Sequence, residues 1–111
     1  MRDVKLVGEV PDHVLKVVAR IIDRYNRYRV PEAEAKPVAV ESVGKGLYLL
    51  KVLFTGSFCG TCGVRDWVED LAYVAESMGF KVDLEEVLEP AGGEAGFRVG
   101  VFLLKLDARQ S

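Results

Sequence analysis

The sequence predicts an α/β (α+β) fold: a two-layer sandwich of element order β-α-β-β-α-β-β, with two helices on one face of a mixed sheet. Three observations carry this. Two stretches repeat apolar residues at helical spacing, five short stretches are rich in valine, leucine or phenylalanine, and glycines or prolines punctuate the joins. The chain has 111 residues, 50% hydrophobic and 29% charged, which fits a single domain over 1–111 and is too apolar for disorder.

Val4 to Val10 reads as a short strand. Pro11 and Asp12 then open a helix, since proline suits a first turn and an aspartate favours its positive end. Val14, Leu15, Val18, Ile22 and Tyr25 form its apolar face, and the helix stops near Arg29 ahead of Pro31. Residues 31 to 37, PEAEAKP, read as a charged connector between prolines. Val38 to Val43 is the next strand. Gly44-Lys45-Gly46 turns it into a hairpin with Leu47 to Thr55, which is apolar on both faces and so belongs mid-sheet.

A helix from Val64 to Met78 follows, with Val64, Trp67, Val68, Leu71, Ala75 and Met78 as its stripe and Gly79 as its stop. Phe80 to Leu88 alternates like a half-exposed strand, Pro90 to Gly96 is a loop, and Phe97 to Leu106 is a last, strongly apolar strand. That strand holds more apolar residues than one sheet face needs. The surplus, expected among Phe102, Leu104 and Leu106, calls for cover by a helix or a second subunit. No internal repeat is visible.

Composition narrows the function. A net charge of −2 argues against a protein that binds nucleic acid by bulk charge. No run approaches the roughly 18 apolar residues of a membrane span, and Arg2, Asp3 and Lys5 interrupt any signal-peptide core, so the cytoplasm is the expected location. Asn26 and Gln110 are the only side-chain amides beside abundant charged residues, the pattern of a thermophile. In such a source an intracellular disulfide is an ordinary structural device.

The informative stretch is the loop 56–63, Gly-Ser-Phe-Cys-Gly-Thr-Cys-Gly, between a central strand and a helix start. Unpaired backbone N–H groups and the helix dipole stabilise a thiolate there, and Arg65 adds positive charge. Cys59 and Cys62, three apart, can close a disulfide or bind one metal. Cys59, nearer the loop's outer end, is the expected nucleophile, with an apparent pKa below about 8.5. Cys62 is shielded by Val64 and Trp67, and Asp66 opposes the effect of Arg65.

Four chemistries fit this loop beside a plain structural disulfide. An iron–sulfur cluster needs four thiolates and the chain has two, so this reading requires a homodimer to which each subunit contributes Cys59 and Cys62. Here residues 12 to 88 resemble the NifU-type iron–sulfur scaffold domain: helix, strand, hairpin, strand, Gly-x-Cys-x-x-Cys, helix and last strand. The resemblance implies a metal or cluster scaffold or carrier with Cys59 and Cys62 as ligands. The chain differs in having two residues between Gly56 and Cys59, and Gly63, Val64 and Arg65 in place of Pro-Ser-Ser.

Thioredoxin-like dithiol exchange also places a CxxC between strand and helix, here with Phe58 before the motif and Cys59, Cys62 and Arg65 as the catalytic set. Cys59 to Arg65 also spells the Cys-x5-Arg of a phosphatase loop, and so resembles low-molecular-weight tyrosine phosphatases and arsenate reductases. Asp66, however, stands where a Ser or Thr lowers the thiol pKa. Mononuclear zinc would need His13 or carboxylates such as Asp66. Outside the loop, Lys16, Arg20, Arg24 and Arg27 share one side of the first helix, with Tyr28 and Arg29 near its end. A solvated face, or a patch for RNA or an acidic partner, explains them.

Overall fold

The computed structural model describes residues 4–29, 33–56, 64–88 and 97–106; at positions 29, 33, 56, 64–67 and 97 only the backbone is described. The elements are β1 (Lys5–Val7), α1 (Asp12–Arg29), β2 (Ala33–Gly44), β3 (Leu47–Gly56), α2 (Val64–Ser77), β4 (Lys81–Leu88) and β5 (Phe97–Lys105). The fold is α+β, two helices over a five-stranded mixed sheet of order β1-β2-β3-β5-β4. β1 pairs parallel to β2, and every other pairing is antiparallel.

Both helices lie on one sheet face. Their apolar sides, Val14, Val18, Ile21 and Tyr25 on α1 and Val68, Leu71 and Ala75 on α2, join Leu50, Val52, Phe54, Phe102 and Leu104 of the sheet in one core. Val17 and Ile21 widen the α1 stripe beyond the sequence reading. Phe54 sits at the centre, edge-on to Tyr25 at 5.5 Å and tilted against Phe102 at 6.1 Å, spacings at which aromatic rings attract.

Both helix ends follow the sequence signals. The Pro11 carbonyl accepts from Val14 N–H at 3.0 Å, opening α1. At the end of α2, Gly79 takes φ 93°, its N–H donates to Glu76 O and Phe80 N–H donates to Ala75 O. That pair of bonds is a Schellman cap, which needs a residue tolerant of positive φ. Gly46 (φ 73°) closes the β2–β3 hairpin where its carbonyl accepts from Leu106 N–H at 2.8 Å.

Two expectations change. Most of the stretch taken for a connector is strand, because β2 begins at Ala33 and pairs Ala33 with Gly56 through Lys36 with Leu53. Pro37 is accommodated where the register shifts between Pro37 and Ala39, so its missing N–H does not break the ladder. Asn26 clamps the new strand to α1: its side-chain amide donates to Ala35 O at 3.0 Å and its carbonyl accepts from Ala35 N–H at 2.7 Å.

The second correction concerns β5. Phe102, Leu104 and Leu106 are buried under the helices, and the surplus apolar residues are Val99, Val101 and Leu103 on the opposite side. Strand alternation decides this, since Phe102 and Leu104 share the parity that puts Arg98 and Gly100 on the helix side.

The order β2-β3-β5-β4 also shows a symmetry that the sequence hid. Helix, flank strand and central strand occur twice, as α1-β2-β3 and α2-β4-β5, related by a pseudo-dyad normal to the sheet between antiparallel β3 and β5. The helices therefore run antiparallel.

Candidate functional site

Cys59 and Cys62 lie outside the described residues, and so do the side chains of Arg65 and Asp66. Their setting is nonetheless defined by what anchors the connection. It leaves the end of β3, the middle strand of the sheet, at Gly56 and enters the first turn of α2 at Val64. Chain connectivity alone holds Cys59 within about 11 Å of Gly56 and Cys62 within about 7 Å of Val64. The motif therefore joins the end of a central strand to the N-terminus of a 14-residue helix, the helix end that favours an anion.

The register identifies what else converges on that end. Ala33 pairs with Gly56, Phe97 with Thr55 and Leu88 with Val99, so β2 starts, β5 starts and β4 ends there. α1 ends there too, because its last residue, Arg29, leads into Ala33. His13, in the first turn of α1, lies the length of that helix away, on the order of 24 Å. His13 is exposed, and among the described residues no three His, Cys, Asp or Glu side chains gather as a metal site. The distance separates His13 from the end of the sheet where Gly56 and Val64 flank the cysteine loop.

One residue at the motif's end escaped the sequence reading. Arg98, the register partner of Phe54, is only 7% exposed and points to the helix side of the sheet, two positions from Gly56 across the ladder. The fold therefore places a guanidinium, engaged within the fold, beneath the strand end that leads to the CxxC. The available signal was parity: Arg98 falls in phase with Phe102 and Leu104 on an otherwise apolar strand.

The basic side of α1 is partly occupied by its own fold. Arg20 stacks over Phe80 at 6.0 Å from the ring centre, and Arg27 pairs with Asp23 at 3.1 Å. Arg24 and Tyr28 instead edge a groove of about 310 Å³ against Asp70 and Tyr73 of α2. Tyr28 and Tyr73 are 69% and 62% exposed, high for aromatic rings. Among the described residues no helix is long and apolar enough to cross a membrane.

Comparison with protein-family models, curated proteins and solved structures found no match.

Proposed function

We propose that this chain is a small CxxC protein in which Cys59 and Cys62 bind as thiolates to a soft metal or an iron–sulfur cluster, as a scaffold or carrier. The observation that carries the reading is the convergence on one end of the sheet: the mouth of central strand β3, the N-terminus of α2 and the buried Arg98. The helix N-terminus and the arginine favour negative charge at the mouth of the strand, and a metal-bound thiolate is negative where a thiol is not. A cluster requires two chains, since one supplies two cysteines of the four needed. The resemblance of residues 12 to 88 to a NifU-type domain agrees with that reading in element order.

Dithiol–disulfide exchange is the second reading, and the same charge arrangement supports it without a partner. A lowered thiol pKa raises the thiolate fraction available for attack on a disulfide. The two readings separate by colour and composition. Protein purified without oxygen should be brown, absorb near 400 nm and contain iron with acid-labile sulfide, all lost in Cys59→Ser. Colourless, iron-free protein that reduces a disulfide substrate would replace the cluster reading with the dithiol one.

A further inference from the structure

The face of the sheet opposite the helices is unusually apolar for a surface in water. An antiparallel sheet covered on one side normally alternates apolar inward and polar outward. Here the outward residues of β3 are Leu47, Leu49, Lys51, Leu53 and Thr55, and those of β5 are Val99, Val101, Leu103 and Lys105. Leu49 pairs with Leu103 and Leu53 with Val99, so the two central strands present an apolar strip, unbroken along Val99, Val101 and Leu103 of β5 and interrupted on β3 by Lys51. Val101 is buried to 8% exposure yet stands outside the core formed with the helices.

We propose that this face is a homodimer interface, the strip of one copy packing on the strip of a second in an aligned sheet-on-sheet sandwich. Area supports this occupant. The β2-β3-β5-β4 face measures roughly 30 Å along the strands by 19 Å across, a plan area on the order of 600 Å². Pleat and side chains raise the accessible area toward the ~800 Å² per partner of a stable dimer.

Charge selects the arrangement. Lys51 lies at the centre of the strip beside Val101, and Glu86 flanks Val101 on the next strand. Both are exposed. A two-fold axis parallel to the strands lays β3 over β5 and β2 over β4 of the second copy. It sets each Lys51 over Val101 of the other copy, between that copy's Lys51 and Glu86 and directly over neither. An axis across the strands at that level would instead set Lys51 on its own copy, a like-charge contact that costs affinity. The parallel axis also leaves both Gly56 ends at the same end of the sandwich. The interface stands on the sheet alone; its bearing on a shared cluster rests on the reading of Cys59 and Cys62 given above.

Charge reversal tests the interface with exposed positions that leave the fold intact. Analytical ultracentrifugation of the wild-type chain should show a dimer at about 10 μM. Lys51→Glu and Glu86→Lys should each weaken it tenfold or more, and the double reversal should restore it. Leu103→Glu, at a half-buried position of the same strip, should abolish it while far-UV circular dichroism stays unchanged. A wild-type monomer at about 100 μM, or a dimer indifferent to all three single changes, overturns the proposal. The variant with both cysteines changed to serine separates the two claims. It should remain a dimer; dissociation on loss of the cysteines would mean that a cluster, not the sheet, holds the copies together, and would overturn the interface.

Discussion

At the scale of single residues, two side chains carry more than their neighbours. Asn26 satisfies both the N–H and the C=O of Ala35, the backbone groups that start β2 against α1. Asn26→Ala removes both partners at once and leaves part-buried amide groups unpaired, at about 1–3 kcal/mol. Urea unfolding should register the loss as a lower midpoint with an unchanged slope. Arg98 makes a different kind of contribution. On the thiolate reading proposed above, Arg98→Met should shift the pH profile for iodoacetamide labelling of reduced Cys59 to higher pH. A merely structural arginine would change the unfolding midpoint and leave that profile where it was. Neither residue announces itself by a motif: Asn26 hides in a run of arginines and tyrosines, and Arg98 reads as a strand charge until parity turns it inward.

At the scale of elements, the glycine turns separate backbone strain from crowding. An alanine Cβ at Gly79 would meet nothing within 4 Å, so Gly79→Ala costs only the left-handed conformation, about 1 kcal/mol. At Gly46 the same atom would stand 2.4 Å from Leu106 O, and relieving that clash stretches the Leu106 N–H to Gly46 O bond. Gly46→Ala should therefore cost several times as much, and thermal melts of the two variants should rank in that order. These elements were legible because each is specified locally, by a cap, a turn glycine or a stripe at the right period. β2 was not. Pro31 and Pro37 mark a connector by local rules, yet the strand survives because its register with β3 and the bulge beyond Pro37 are non-local. The pseudo-dyad was hidden likewise, since an 18-residue and a 14-residue helix take equivalent, antiparallel places without sharing residues.

At the scale of the whole molecule, the surplus of apolar residues in β5 was legible in the sequence, but the side bearing it was not. A composition reports how much must be covered; strand parity relative to the helices decides where. Parity places Val99, Val101 and Leu103 on the face opposite the helices, which no described element covers, beside Leu49 and Leu53. A chain that buries this strip only on association gains part of its stability from mass action, because the dimer is populated at the expense of both monomer and unfolded chain. The melting temperature of the wild-type protein should therefore rise with concentration, by a few degrees over a hundredfold range for a domain of this size. Lys51→Glu should melt lower and show a flatter dependence, while Lys51→Glu with Glu86→Lys recovers the slope. A wild-type melting temperature independent of concentration between about 1 and 100 μM, in a range where ultracentrifugation finds dimer and monomer exchanging, would show that the strip adds nothing to stability when covered. The apolar parity of β3 and β5 would then need another cause than burial against a second copy.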